Sequence, residues 1–252
     1  MINFVGAGPG AVDLITVRGM NLIKNADVII YAGSLVNKEL LNYADKKCRI
    51  YNSAEMTLEE IIEVMRKSES EGLNTVRLQT GDPSVFGAIH EQMRELDKYG
   101  IKYELCPGVS SMFGASSVLK AEYTPPEVSQ SIIITRAAGR TPVPDSESIR
   151  NLAEHKSTMI IFLSVGMADK VSRELIEGGY KEDTPAAIVY KATWPDEKVI
   201  ITTVGELAKS IADNRIKKTA LIIAGNFLKN TENRSRLYDG SFTHEYRKGD
   251  ND

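Results

Sequence analysis

The 252-residue chain has little of what marks several large protein classes: two cysteines, one tryptophan and three histidines. Two cysteines do not build a disulfide scaffold in a chain of this size, so Cys48 and Cys106 are expected as reduced thiols. His90, His155 and His244 are too scattered for a zinc spacing, and no metal is expected. Apolar runs such as Val28–Tyr31 and Met159–Leu163 have the length of strands and fall far short of a membrane span. The opening residues, Met1-Ile2-Asn3-Phe4-Val5-Gly6, lack the basic start and long apolar stretch of a secretory signal, which leads us to expect a cytoplasmic protein. Neither sign of charge dominates: 31 Lys and Arg stand against 34 Asp and Glu, for a net charge of -3. That weak acidic balance argues against a broad nucleic-acid surface, while leaving room for a local basic pocket. There is no short repeat and no low-complexity segment.

What is present is an alternation of short β-branched runs with amphipathic stretches. Ile2–Val5, Val28–Tyr31, Thr75–Gln79 and Tyr103–Cys106 read as strands. Thr16–Asn25, Thr57–Ser70 and Ala88–Lys98 read as helices between them; in the second, Leu58, Ile61, Ile62 and Met65 share one face. Such alternation implies a mainly parallel sheet covered on both faces. Residues 121–130, with Pro125 and Pro126 adjacent, interrupt the pattern and are expected to form a linker. Beyond it, strands are expected near Ser131–Thr135, Thr158–Leu163, Pro185–Tyr190, Lys198–Thr203 and Thr219–Ala224, and helices over Met167–Glu177 and Val204–Asp213. Trp194-Pro195-Asp196 separates two close strands, which suggests an antiparallel pair and a mixed sheet. The expected architecture is therefore two α/β domains with mixed sheets around a central cleft. The first covers 1–120, the second 131–230, and a polar tail follows over 231–252.

Three loops carry the chemistry. Val5-Gly6-Ala7-Gly8-Pro9-Gly10 ends the first strand, where glycines let the backbone turn sharply and approach a ligand. It departs from a dinucleotide fingerprint, since Gly10 comes too early and the helix begins only near Thr16. Leu78-Gln79-Thr80-Gly81-Asp82-Pro83-Ser84-Val85-Phe86-Gly87 follows a later strand; it lacks the Gly-Lys-Ser/Thr of a Walker loop. Cys106-Pro107-Gly108-Val109-Ser110-Ser111-Met112 again joins a strand to a helix. Each loop also has a plain structural reading: a tight turn for the first, a helix cap at Asp82 for the second, and a cap at Ser110 for the third.

In combination, a GxGPG turn, a GDPxxFG loop and a PGxS turn at successive strand ends resemble the tetrapyrrole methylases. The resemblance runs from Ile2 to about Lys229. Further segments, among them Tyr31-Ala32-Gly33-Ser34-Leu35-Val36, Pro126-Glu127-Val128-Ser129-Gln130-Ser131 and Tyr190-Lys191-Ala192-Thr193-Trp194-Pro195, are similar to the members that methylate a cobalamin precursor. Thr135-Arg136-Ala137-Ala138-Gly139-Arg140-Thr141-Pro142 and Ile161-Phe162-Leu163-Ser164 point the same way. Relatives acting on uroporphyrinogen carry Asp-Arg-Leu-Val where this chain has Ala32-Gly33-Ser34-Leu35-Val36, and Gly-Lys-Arg near Ile50-Tyr51-Asn52-Ser53. Their proposed acid–base pair is missing here, and no catalytic base is assigned.

The resemblance implies a methyl transfer from S-adenosylmethionine, bound folded in the cleft, to a ring carbon of an acidic tetrapyrrole, with S-adenosylhomocysteine as product and a homodimer as the assembly. It implies cofactor contacts at Pro9, Thr80, Gly81, Asp82, Val85, Ser110 and Ser111. From the second half it adds Leu163 or Ser164, Ala192 and the Thr219-Ala220 strand start. A substrate with many carboxylates calls for local cations; Arg136 and Arg140 are the leading candidates and Lys191 a weaker one, each having a plain reading as a solvated surface charge. Trp194 or Tyr123 offers a stacking surface, although an aromatic beside proline more often packs. A sibling methylase acting at another ring carbon is the nearest rival. An oxidoreductase binding a dinucleotide is a rival of another class, but it wants an acid closing the second strand, where this chain has Tyr31-Ala32-Gly33. A third is a non-catalytic nucleotide-sensing module.

Overall fold

Strands buried on both faces need apolar side chains on both, and the first half of the chain supplies them. Ile2–Gly6 (β1), Val28–Tyr31 (β2) and Arg49–Asn52 (β3) alternate with the helices Val17–Lys24 (α1) and Leu58–Ser70 (α2). Thr75–Gln79 (β4), His90–Lys98 (α3), Tyr103–Cys106 (β5) and Ser111–Leu119 (α4) follow. In this computed structural model, which describes residues 1–229, 235 and 238–249, the five strands form one sheet in the order β3-β2-β4-β1-β5. Every neighbouring pair is parallel. Alternate residues point to opposite faces. Val5, Ile29, Tyr31, Val76 and Leu78 pack with Ile23 of α1, while Phe4, Val28 and Ile30 pack with Ile61, Ile62 and Met65 of α2 and Leu96 of α3. The helix starts are signalled locally: the Thr16 hydroxyl accepts from the Gly19 amide at 3.0 Å, and Thr57 and Glu60 form a reciprocal capping box.

β4 contains a buried charge. All five of its residues, Thr-Val-Arg-Leu-Gln, are buried. Arg77 Nε donates to Gln92 Oε1 at 2.9 Å and Nη1 to the Ile30 carbonyl at 3.2 Å; among the described residues it has no carboxylate partner. Burial pulls its pKa down to about 10. Gln92 is thus the neutral partner that makes a buried guanidinium tolerable. Gln92→Leu is expected to destabilise the fold by about 2 kcal/mol, because one guanidinium N–H loses its acceptor without regaining water. Adding Arg77→Met should restore most of that loss in urea unfolding.

The second sheet is built from Ile132–Arg136 (β6), Thr158–Phe162 (β7), Pro185–Tyr190 (β8), Lys198–Thr203 (β9) and Ala220–Ala224 (β10). Helices Ile149–Ala153 (α5), Ala168–Glu177 (α6) and Leu207–Asp213 (α7) accompany it. Its order is β6-β7-β10-β8-β9 and it is mixed: β6 runs parallel to β7, and β10 antiparallel to both β7 and β8. Met159, Ile161, Ala186, Ile188, Ile222 and Ala224 cluster with Ala153, Val171, Leu175, Leu207 and Ile211.

Contacts divide the chain into two units, and the division differs from a single cut. Met1–Val118 takes in Lys191–Lys198, the segment between β8 and β9, while Leu119–Tyr190 goes with the chain from Val199 onward. Residues 121–130 are packed within the second unit. Tyr123 is 5% exposed and meets Phe227 edge-on at 5.3 Å. The Tyr123 carbonyl accepts from the Thr158 hydroxyl at 2.7 Å, and Ser129 Oγ accepts from the Thr158 amide at 3.0 Å. Tyr123 is therefore a packing residue, and burial pushes its phenol well up. Much of the tail expected over 231–252, together with Asn230, lies outside the described residues.

Candidate functional site

Because all five strands of the first sheet are parallel, the loops after β1, β4 and β5 open at the same edge. They interlock through glycine. A Cβ on Gly6 would sit 2.6 Å from the Cα and N of Gly108 and 2.7 Å from the Gly81 carbonyl oxygen. A Cβ on Gly108 would collide with that same carbonyl and lie 2.7 Å from Gly6 Cα. Gly8 and Gly81, with φ of +80° and +61°, exchange backbone bonds: Gly81 N–H to the Gly8 carbonyl at 2.9 Å, and Gly8 N–H to the Gly81 carbonyl at 3.2 Å. Gly81 also faces the start of α4, where its missing Cβ would lie 3.4 Å from the Ser111 amide nitrogen. Pro9, Thr80, Gly81, Asp82, Ser110 and Ser111 are thus brought onto connected loops.

Asp82 fastens two of them. Its Oδ1 accepts from the amide and the hydroxyl of Ser84, at 2.8 and 2.5 Å, and its Oδ2 accepts from the Gly108 amide at 2.8 Å. Partial burial raises its carboxyl, but those hydrogen bonds outweigh burial and hold it below the ordinary carboxylate value. Asp82 caps no helix, since α3 begins only at His90. Val85 donates its amide to the Asp82 carbonyl at 3.2 Å, and the Thr80 hydroxyl donates to the Leu35 carbonyl at 3.4 Å. Ser110 is buried; its carbonyl accepts the amides of Phe113 and Gly114 in the first turn of α4.

A fourth segment of the same unit, Lys191–Lys198, reaches the GxGPG turn. Trp194 Nε1 donates to the Pro9 carbonyl at 3.0 Å, and the Ala11 amide donates to Thr193 Oγ1 at 3.0 Å. The indole occupies the space a Gly10 side chain would need. From the loop after β2 comes Asn37, whose side-chain amide donates to the Gly10 carbonyl at 2.9 Å. Ala192, expected at the cofactor, is buried in this segment. Lys191 pairs with Asp196 at 2.6 Å and lies 5.3 Å from the Trp194 ring centroid, so its charge is already engaged. That hydrogen bond also holds the Asp196 carboxyl below its ordinary value.

In the second unit the remaining residues gather at one end of the sheet. Arg136 pairs with Phe162, Ile222 with Ile161 and Ala220 with Tyr190; this register puts Leu163, Ser164, Thr219 and Ala220 at a shared edge. Leu163 is exposed there with φ +53°, and Thr219 has φ +60°. The Ser164 side chain is fully buried and accepts the Ala137 amide at 2.8 Å while donating to the Phe162 carbonyl at 2.6 Å, so its hydroxyl is used within the sheet. Arg136 turns its guanidinium onto its own loop, donating to the carbonyls of Thr141 and Pro142 at 3.1 and 2.9 Å. Carbonyls leave its charge uncompensated, but they occupy two of its donors. Arg140 is exposed, without a hydrogen bond or ion pair among the described residues.

Left-handed backbone at residues other than glycine occurs in these loops, as it does elsewhere at Lys120, Glu127, Lys156 and Arg215. Phe86, Ala88, Leu163, Lys191, Thr193 and Thr219 all have positive φ, at a cost of about 1–3 kcal/mol each that the surroundings must offset. A recess of about 440 Å³ lies elsewhere, among Met1, Asp97, Tyr103 and Glu104 at the amino ends of β1 and β5, and includes none of the residues above. Among the described residues no group of His, Cys, Asp or Glu is arranged to hold a metal, and no helix is long and apolar enough to cross a membrane. The roles of Asn37, Thr193 and Trp194 at the turn were not apparent from sequence; the only local signal is a Thr-Trp-Pro run, which equally suits simple packing.

Comparison with known proteins agrees with the fold. Residues 1–208 match the family described as Tetrapyrrole (Corrin/Porphyrin) Methylases. A cobalt-precorrin-4 C(11)-methyltransferase of Methanocaldococcus jannaschii is 58% identical, over 97% of this chain and 95% of that protein. A precorrin-4 C(11)-methyltransferase of a Sinorhizobium species is 45% identical, over 98% of each. The X-ray structure of a cobalt precorrin-4 methyltransferase, a cobalamin biosynthetic enzyme, superposes with a TM-score of 0.88 at 46% identity, covering 91% of this chain and 96% of that one. A uroporphyrin-III C-methyltransferase from Thermus thermophilus, complexed with S-adenosylhomocysteine, superposes with a TM-score of 0.75 at 25% identity, covering 90% and 93%.

Proposed function

The chain belongs to the tetrapyrrole methylases, and from that premise we propose that it transfers a methyl group from S-adenosylmethionine to C11 of cobalt-precorrin-4 in corrin-ring biosynthesis. The observation that carries the reading is the junction of Gly6, Gly81 and Gly108. It brings three strand-end loops to backbone contact at the carboxyl edge of a parallel sheet, the usual place for a ligand in such folds. Glycine lets these loops close onto one another, and the start of α4 lies beside Gly81, where a helix start can offer main-chain amides to a polar ligand.

S-adenosylmethionine supplies an already activated methyl on a sulfonium, which leaves as a neutral thioether. The protein's part is then positional. Pro9, Thr80-Gly81-Asp82 with Val85, Ser110-Ser111 and Ala192, all within the first unit, are assigned to hold the cofactor, as the family resemblance implies. Orientation alone lowers such a barrier by up to about 7–11 kcal/mol. The ring carbon attacks with its own electron pair, and the positive charge it gains is relieved by loss of a proton. For the substrate's carboxylates Arg140 is the candidate cation, being exposed and without a hydrogen bond or ion pair among the described residues. Arg136 adds long-range charge, and Lys191 is committed to Asp196. We also propose a cytoplasmic location and, as the resemblance implies, a homodimer; light scattering at micromolar concentration checks that assembly.

Incubation with S-adenosylmethionine and either precorrin-4 or cobalt-precorrin-4 tests the reading. Mass spectrometry and NMR should show one added methyl at C11, faster on the cobalt form. Methylation at another carbon would make the protein a sibling enzyme. No transfer to either substrate, with no calorimetric binding of S-adenosylhomocysteine, would end the proposal.

A further inference from the structure

The GxGPG turn is not self-supporting. Its carbonyls at Pro9 and Gly10 and the amide at Ala11 have no strand to pair with, since β1 ends at Gly6. All three are met from outside: Trp194 Nε1 on the Pro9 carbonyl, Asn37 on the Gly10 carbonyl and Thr193 Oγ1 under the Ala11 amide. The Thr193 methyl group and the Pro9 ring pack against Gly114 of α4, whose absent Cβ would come within 3.3 and 2.9 Å of them. Trp194 fits only because residue 10 lacks a side chain.

The segment carrying Thr193 and Trp194 is itself held under strain. Lys191 and Thr193 have φ of +47° and +69°. Glu197 accepts the Thr193 amide at 2.5 Å, the Trp194 amide donates to the Lys191 carbonyl at 3.0 Å, and Lys191 closes onto Asp196. A loop kept in an unfavourable conformation by several bonds, and delivering two side chains to two main-chain atoms of one turn, is built to fix that turn.

We infer that Thr193 and Trp194 are positioning residues for methyl transfer, which set the Gly8-Pro9-Gly10 turn in the shape that receives S-adenosylmethionine without touching the reacting atoms. This rests on the reading of that turn as part of the cofactor site. Removing either hydrogen bond lets the turn sample other shapes, so cofactor affinity falls while the chemical step, once the cofactor is bound, changes little.

Trp194→Phe keeps the ring but loses the N–H; Thr193→Val keeps the shape but loses the oxygen. Each is expected to raise the Kd for S-adenosylhomocysteine, and the KM for S-adenosylmethionine, by about 5- to 10-fold. The corresponding kcat should stay within about twofold, as expected when cofactor binding and not the barrier is affected. Thr193→Ser, which retains the oxygen, should bind nearly as wild type. In hydrogen exchange without ligand, the Ala11 amide should exchange faster in Thr193→Val than in wild type. Lowered thermal stability with unchanged Kd and KM in both variants would overturn the inference and leave these residues merely structural. If one variant does not fold, the other decides. The underlying site reading is judged separately: in wild-type protein, S-adenosylhomocysteine should slow exchange over Gly6–Leu14, and no protection there means the turn is not the cofactor site at all.

Discussion

Gly108→Ala is expected to abolish cofactor binding and to cost the fold about 3 kcal/mol or more, the upper end for overpacking a site that cannot yield. The added methyl would fall on the Gly81 carbonyl and crowd Gly6 Cα, all of it main chain anchored in neighbouring strands. A side chain can rotate away from such a clash, but these atoms can move only if β1, β4 or the loop at Gly81 shifts. The Gly108 amide would be dragged from Asp82 by the same movement. Affinity for S-adenosylhomocysteine should fall by at least roughly 100-fold, the equivalent of about 2.7 kcal/mol. Gly166→Ala is the control: the nearest atom to its added Cβ is the Lys217 carbonyl oxygen at 3.9 Å, and stability should stay within about 0.5 kcal/mol. Calorimetry and urea unfolding of the two variants read both effects. Wild-type affinity in Gly108→Ala would show that the glycine junction is not what shapes the site.

The same junction shows what can be read from a sequence and what cannot. The three loops were legible because glycine and proline at strand ends have few other uses, and the strands Val28–Tyr31, Thr75–Gln79, Pro185–Tyr190 and Lys198–Thr203 fall where their β-branched runs place them. β3 was not legible: Arg49-Ile50-Tyr51-Asn52 is a short, half-exposed edge strand with little apolar signal. α5 has only five residues, too few to show a period. Arg77 sits in a strand whose alternating polar residues suggest one wet face, yet that face is covered, because Gln92 from α3 supplies the acceptor that its guanidinium needs. At the site, the roles of Asp82, Arg136, Thr193 and Trp194 depend on which main-chain atom lies within reach. For the last two that atom is more than 180 residues away in the chain. Residue type suggests that Arg136 binds a carboxylate; only the fold reveals that its own loop has claimed two of its donors.

Asp82→Asn should lower stability at neutral pH by about 1–2 kcal/mol, a range reduced for the partial exposure of the carboxylate. The carboxylate accepts from Ser84 and Gly108 at once. An asparagine keeps one oxygen but turns an NH₂ toward one of those N–H donors, so the brace between the second and third loops opens. Affinity for S-adenosylhomocysteine is expected to fall about tenfold as a result. The pH dependence gives a sharper test. Folding depresses the Asp82 carboxyl below its unfolded value of about 3.9, so the contribution is complete above that pH and is lost as pH falls through the lower folded value. The stability gap between wild type and Asp82→Asn should therefore be full at about pH 7, still near full at about pH 5, and closing below about pH 4. A gap that is the same at all three would mean that Asp82 acts through shape alone, while a gap already gone at about pH 5 would place its folded pKa on the wrong side of the unfolded one.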